Sequence, residues 1–447
     1  MTKTIVLFLT CFFAATGIMP LAAPIEVKSA GHELSPHVCA DSDCQDCNQL
    51  SEHEQTIKQH PPLVPGPLTL EQALDLAREN SPALLAAQME EDAASQEIHQ
   101  AGVWANPEIE FEAEGVGGDM SGTAAAEYTL AISQEFSLSG KPGKKREMAR
   151  YAARAAEFST IEMELELEIA VRKAFIETLA QWEINLERVE QERLAREFSD
   201  TARMRHKAGG ASELELLEAD VALEEISLKK ARSEQALAAA GKELALLIGL
   251  PDPGKLQGNF FHTLGQPGRI GVVDSHPTLR RFQVLEKQAG AEVVFEKADR
   301  IPDLTLGGGI RYINEEDIHT FVLGASIPLP LFNSNQSCCD AAKLRAQAAA
   351  AETRAVRRDL EREMTATATV FETAAAEAEH FRERLLPKAR RAYEVCQEGY
   401  AAGRYSWMEL IQTQQALAET NIRYIEAQRD AQFALAELNK YFIGEEE

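Results

Sequence analysis

Positive charge is scarce in this chain of 447 residues: Lys and Arg total 45 against 71 Asp and Glu, a formal net charge of −26. Phosphate backbones select the opposite sign, so nucleic acid is excluded as a partner. The balance fits a surface or pore that tolerates cations, although solvated helix faces account for much of it. Aromatics are also few, at 6%, which points away from ordinary globular cores and towards long, alanine-rich packed helices. Beyond the N-terminus no stretch approaches about 18 uninterrupted apolar residues, so a membrane-spanning mature chain would have to cross by strands. Catalytic signatures are missing as well: no Gly-rich phosphate loop, no G-x-S-x-G elbow and no zinc-hydrolase helix. The chain reads as a non-enzyme, and nothing in it calls for a cofactor.

What is present begins with a secretory layout. Lys3 precedes an apolar run over residues 5–15, and small residues follow to Ala22 and Ala23, as in a signal peptide spanning 1–23. An uncleaved anchor is the alternative, since the stretch to Ala23 is just long enough to span. Residues 24–67 form a separate polar region that closes on Pro61, Pro62, Pro65 and Pro67. His32, His37, Cys39, Cys44 and Cys47 crowd within it, a donor set of sulfur and imidazole suited to a thiophilic cation. In an oxidising compartment a disulfide is the competing reading, and an unstructured tail is the third.

Strict alternation marks the segment 107–138. Ile109, Phe111 and Ala113 fall on one face and Glu108, Glu110, Glu112 and Glu114 on the other, the pattern of a strand with one apolar face. After a Gly-rich loop, Tyr128, Leu130, Ile132 and Phe136 alternate with Glu127, Thr129, Ser133 and Glu135. The pattern returns with Leu304, Leu306, Ile310 and Tyr312, then with Phe321, Leu323, Ala325 and Ile327. Four strands, apolar out and polar in, have the signature of a transmembrane β-barrel. Four cannot close a barrel alone, so copies of the chain must pool them.

The chain is duplicated. Ser81-Pro82 matches His276-Pro277, and Asn106-Pro107 matches Ile301-Pro302, both at an offset of 195 residues. KAGGASELELLEADVAL at 207–223 matches AAGRYSWMELIQTQQAL at 401–417. The first repeat spans 68–249, a Pro/Gly-rich linker 250–275, and the second repeat 276–447. Each repeat predicts a helix, two strands, a very long helix, a tight turn and a helix. The long arms cover 144–207 and 338–402, each about 95 Å at 1.5 Å per residue. Pro387 is the one proline in either and should kink or interrupt its arm. Phe175, Leu179, Trp182, Leu186 and Val189, and Leu410, Leu417, Tyr424, Ala431 and Leu438, carry coiled-coil spacing. Gly209-Gly210 and Gly403 should end the arms. Thr69 with Gln72, Ser212 with Glu215 and Ser406 with Glu409 have capping-box spacing.

Taken together, the duplication, the Asn-Pro before the first strand, the Ser-Gln-x-Phe-x-Leu of 133–138 and the Ala-Gly-x-x-Ser tips at 208–212 and 402–406 resemble TolC-type outer-membrane efflux proteins. Within them the CzcC-like branch, serving heavy-metal cation efflux, is nearest. The resemblance covers 68 to about 444. It implies an α+β membrane protein: a trimeric 12-stranded β-barrel, four strands per chain, continued by a long antiparallel α-helical coiled-coil tunnel. It also implies a homotrimer in outer-membrane lipid whose periplasmic tips dock on an adaptor fed by an inner-membrane pump. Drug or solvent efflux and secretion through the same architecture are the alternatives. A periplasmic coiled-coil scaffold is the rival from another class, and the alternating strands count against it.

Candidate site residues follow. Glu108, Glu110, Glu112, Glu114, Glu127 and Glu135 should line the barrel, where carboxylates favour cations, though barrel interiors are polar in any case. By resemblance, Glu409 sits where the family narrows its entrance, while Gln412 replaces the acid one turn on; Glu215 and Glu218 stand at equivalent places in the first repeat. Helix capping is the competing role for Glu215 and Glu409. The tips, with Gly209, Gly210, Ser212, Gly403, Arg404, Tyr405 and Ser406, are the expected adaptor surface. The neighbouring aromatics Tyr405 and Trp407 either anchor that interface or pack between hairpins. Cys338, Cys339 and Cys396 read as small apolar fillers, and the scattered histidines, His276 among them, receive no role.

Overall fold

The computed structural model of the protein describes residues 66–116, 126–258 and 273–441. Along them run α1 Leu70–Asn80, α2 Pro82–Ala101, β1 Glu108–Glu114, β2 Glu127–Phe136, α3 Lys141–Lys207 and α4 Glu213–Ile248. After a 3-10 turn, Val273–Ser275, come α5 Pro277–Asp299, β3 Leu304–Ile313, β4 Ile318–Ser326, α6 Gln336–His380, α7 Leu386–Ala401 and α8 Trp407–Asn439. The signal region and the donor set His32, His37, Cys39, Cys44 and Cys47 lie outside the described residues. No helix among the described residues is long and apolar enough to cross a membrane.

Both repeats restart a helix by the same device. The Ser81 hydroxyl accepts from the Leu84 N–H at 3.3 Å, and His276 Nδ1 accepts from the Thr278 N–H at 3.3 Å. Pro82 and Pro277 then open the helices, where the missing N–H has no intrahelical acceptor to lose. At Thr69 the capping box with Gln72 is complete.

The first arm, α3, is one helix of 67 residues, about 100 Å long. The second arm is α6 and α7 joined through a π-turn, Phe381–Leu385. Pro387 lies just beyond it. A proline has no N–H to give and its ring crowds the carbonyl four residues back, so the arm widens there and continues. The expected interruption is a bulge within a continuous arm.

Helix packing around α3 positions everything else: α4, α5, α2 and α8 all lie against it. One core cluster seats Ala73, Leu74 and Ala77 of α1 against Val171, Phe175, Leu244 and Ile248. Its counterpart in the second repeat joins Val273, Leu279, Leu360, Phe371, Leu438 and Tyr441. Removing a side chain such as Phe175, with no exposed surface, from water contributes ~1.5–3 kcal/mol.

The two coiled-coil stripes fare differently. On α8, Leu410, Ala431 and Leu438 are buried, and Leu417 and Tyr424 half-buried. On α3, Phe175 and Leu179 enter the core, but Trp182, Leu186 and Val189 are 50%, 45% and 42% exposed. Leu214, Leu217 and Val221 on α4 are likewise exposed. The single chain leaves three of the five predicted seam positions on α3 uncovered.

Candidate functional site

The strands form one antiparallel sheet in the order β1-β2-β3-β4. Its register pairs Ile109 with Ile132, Phe111 with Leu130, Leu130 with Ile310, and Ile310 with Phe321. Every alternating apolar residue of the four strands therefore shares one face. Ile327 is the exception to the predicted pattern, because β4 ends at Ser326. The apolar face is open: Ile109 is 76% exposed, Phe321 87% and Leu323 88%. Among the described residues β1 and β4 each pair on one side only, leaving a row of backbone donors and acceptors along each edge.

The opposite face gathers Glu108, Glu110, Glu112, Glu114, Glu127 and Glu135, as the alternation requires. It is concave, enclosing a hollow of about 320 Å³ lined by Glu110, Glu112, Thr129, Gly307, Gly309 and Arg311. Glycine makes this curvature possible. A Cβ on Gly309 would lie 2.5 Å from the Leu130 carbonyl oxygen and 2.8 Å from Ala131 Cα, while one on Gly307 would lie 3.3 Å from Ser133 Cβ. Gly307 and Gly309, the two glycines of β3 on this face, thus let β2 and β3 approach on the inner side of the bend.

The acidic row is not uniform. Arg311, on the same face, pairs with Glu127 at 2.9 Å and Glu114 at 3.7 Å and donates to the Thr129 hydroxyl at 3.0 Å. Two of the six carboxylates expected to line the barrel are therefore charge-paired. Sequence reasoning passed over Arg311, though its place between Ile310 and Tyr312 puts it on the polar phase.

At the far end of the helices the two tips are built alike. Gly209 and Gly403 adopt φ of 73° and 70°, and the N–H groups of Gly210 and Arg404 return to the carbonyls of Arg205 and Gly399 at 2.8 Å. This is the 6→1 closure that a left-handed glycine permits. Between the tips lies a hollow of about 700 Å³ bordered by Ser212, Glu215, Glu218, Gly403, Tyr405 and Ser406. Gly209, Gly210 and Arg404 stand exposed beside it. Trp407, expected as an exposed anchor or as packing, is the latter: it is 8% exposed. With Ala202, Ala219 and Ile411, and with Phe198 at 5.4 Å between ring centroids, it fastens one hairpin to the other.

The paired acids of the two repeats also diverge. Glu409 completes its capping box, its carboxylate accepting from the Ser406 N–H at 2.7 Å and from the Ser406 hydroxyl at 2.9 Å. Those donors hold its carboxyl below the usual carboxylate range. Glu215 does not close the box predicted for it: Ser212 caps its N–H at 3.1 Å, but its own carboxylate turns to Arg205 at 2.9 Å. The residue matching Arg205 in the second repeat is Gly399, and the Tyr405 ring occupies the space a Cβ there would take, 2.1 Å away. One glycine inside the second arm therefore leaves Glu409 without a guanidinium partner among the described residues. Gln412 is exposed one turn further along α8.

His276, assigned nothing from sequence, is a buried helix cap whose ring lies 5.5 Å from Tyr441. Burial, aided by the nearby Lys440 charge, pushes its pKa down. Cys339 and Cys396 are buried and Cys338 is exposed. Among the described residues no group of three or more His, Cys, Asp or Glu is placed to hold a metal ion.

Comparison with known proteins gives a consistent result. A model of the outer membrane efflux protein family matches residues 73–250 and 272–442. The cobalt-zinc-cadmium resistance protein CzcC of Cupriavidus metallidurans is 27% identical over 80% of this chain and 86% of its own length. The nickel and cobalt resistance protein CnrC of the same organism is 27% identical over 66% and 70% respectively. Among solved structures, the CmeC outer membrane channel of Campylobacter jejuni superposes with a TM-score of 0.71 at 16% identity, covering 83% of this chain and 85% of that one.

Proposed function

The chain belongs to the outer membrane efflux protein family, and on that footing we propose that three copies of it form the outer-membrane duct of a tripartite system exporting heavy-metal cations. The observation that carries the duct is the sheet, with its exposed apolar face, its concave polar face and two unpaired edges. In lipid every backbone group must find a partner, so an open four-stranded sheet is untenable and a closed barrel is the remedy. Two copies would give eight strands, whose side chains fill the interior; three give twelve and leave a lumen. The exposed stripes at Trp182, Leu186 and Val189 and at Leu214, Leu217 and Val221 supply apolar surface for packing between copies.

The arms then extend about 100 Å into the periplasm as a tunnel. Its tips carry the hollow between Ser212 and Tyr405, the surface we assign to a periplasmic adaptor, with an inner-membrane pump behind it. Glu409 and Gln412, repeated three times, would ring the entrance. The acidic lumen face and the names of the relatives, resistance proteins for cobalt, zinc, cadmium and nickel, support metal cations as cargo. Deleting the gene and challenging the strain with zinc, cobalt, cadmium, copper and silver alongside detergents and dyes tests this. Sensitivity to metals, reversed by a plasmid copy, is expected; sensitivity confined to dyes would assign the duct to other cargo.

A further inference from the structure

Charge on the concave face of the sheet is sorted along the strands. At the end joined to the helices, and through the middle of β1, Glu108, Glu110, Glu112 and Glu135 have no basic partner among the described residues. At the opposite end, beside the turn that links β3 to β4 and itself carries the exposed Glu315, Glu316 and Asp317, Glu114 and Glu127 face each other across the β1–β2 pair. There Arg311 reaches across from β3, holding Glu127 at 2.9 Å, Glu114 at 3.7 Å and the Thr129 hydroxyl at 3.0 Å. It is the one basic side chain that the register places on this face of the four strands.

We infer that Arg311 weakens the last rung of carboxylates in the lumen, occupying Glu114 and Glu127 together and leaving one net negative charge of their two, so that a cation drawn along the unpaired carboxylates is held less tightly where the pairing begins. The inference rests on the polar face lining a pore made by three copies. Fixed charge in a narrow, low-dielectric lumen concentrates the opposite ion. Transit also requires that the last site be weak enough to leave. A carboxylate whose lone pairs are taken by a guanidinium is a poor ligand for a passing cation, whereas a free pair facing across one rung would hold a divalent ion. A purely mechanical role, stapling three strands, predicts something different: loss of Arg311 would then alter assembly and leave ion preference untouched.

The full-length protein, purified from outer membranes as its detergent-resistant oligomer, would be placed in planar bilayers. Reversal potential in a potassium chloride gradient gives the cation-to-anion permeability ratio, and Zn²⁺ added to either side gives the concentration that halves the potassium current. Arg311→Gln should raise the ratio about twofold or more and lower the half-blocking Zn²⁺ concentration by about tenfold. Arg311→Lys should stay near the parent protein. Combining Arg311→Gln with Glu127→Gln, which keeps the parent's single net negative charge on this rung, should bring the values back towards the parent. Arg311→Gln channels with unchanged selectivity and block would overturn the inference. If that variant does not assemble, Glu114→Gln with Glu127→Gln leaves Arg311 unpaired and must shift preference towards anions; no shift overturns it equally. A parent protein that forms no pores would instead remove the duct reading itself, and this inference with it.

Discussion

Replacing Gly309 by alanine should prevent the oligomer from assembling, although the change adds a single methyl group to a strand. The added Cβ would sit 2.5 Å from the Leu130 carbonyl oxygen and 2.8 Å from both Ala131 Cα and Cβ. Two of those atoms are backbone of the neighbouring strand, so β3 must slide or flatten away from β2. Overpacking of this kind costs ~1–3 kcal/mol per site, and in the proposed trimer three symmetric, well-separated copies raise that to about 3–9 kcal/mol per barrel. At ~1.4 kcal/mol per tenfold, the assembly equilibrium falls by roughly 10²- to 10⁶-fold. The sheet supplies its own controls. Gly307→Ala meets Ser133 Cβ at 3.3 Å, and Gly324→Ala meets nothing within 4 Å. The expected order of damage is Gly309, then Gly307, with Gly324 neutral or slightly stabilising through a stiffer unfolded chain. Unheated gel migration of outer-membrane fractions, with a heating series on each variant, reads the outcome. A Gly309→Ala oligomer as heat-resistant as the parent, or a Gly324→Ala oligomer as damaged as Gly309→Ala, would refute the reasoning.

Trp407→Ala removes a buried ring between the hairpins and should cost ~3–5 kcal/mol locally; limited proteolysis should show faster cleavage near the tips, with the barrel unaffected. At His276 the neutral ring is favoured by burial and by Lys440, opposed by Glu162 and Glu363. Its folded pKa therefore lies below the unfolded value, so between the two the unfolded chain binds a proton that the folded one refuses. Stability should fall as pH drops below about 6.5. His276→Ser, copying the cap that Ser81 already provides in the first repeat, should flatten that acid slope in thermal melts; an unchanged slope would assign it elsewhere. Arg205→Gly, copying Gly399, should free Glu215 at a stability cost of ~1–2 kcal/mol, about 1 of it glycine's cost within a helix and the rest the partly exposed pair. Single-channel recordings at low salt should then show a stronger cation preference, and an unaltered preference would leave Glu215 without a place at the entrance.

Much of the fold was legible because its rules are local. Alternation in the strands, proline at Pro82 and Pro277, and glycine at Gly209 and Gly403 each act within a few residues, and the offset between repeats gave the order of elements twice. What escaped depended on neighbours distant in sequence. Arg311 meets Glu127 across a strand pair, and Arg205 takes Glu215 away from its own capping box, so neither pairing follows from spacing. Gly399 sits in the last turn of α7, where its role is visible only once Tyr405 lies against it. Trp407 and the α3 stripe show the same limit in opposite directions: heptad spacing marks apolar positions without saying whether the cover comes from the same chain or from another.

Closure by strand pooling is tested most directly by joining β1 of one copy to β4 of the next. In a background lacking the native cysteines, a cysteine at Val322 would be combined in turn with one at Glu108, Glu110 or Glu112, all on the polar face, and membranes oxidised before denaturing electrophoresis. The pooled barrel predicts that at least one pairing yields a ladder of one, two and three chains ending at a covalent trimer. No cross-link at any register, or a ladder running past three, would contradict it.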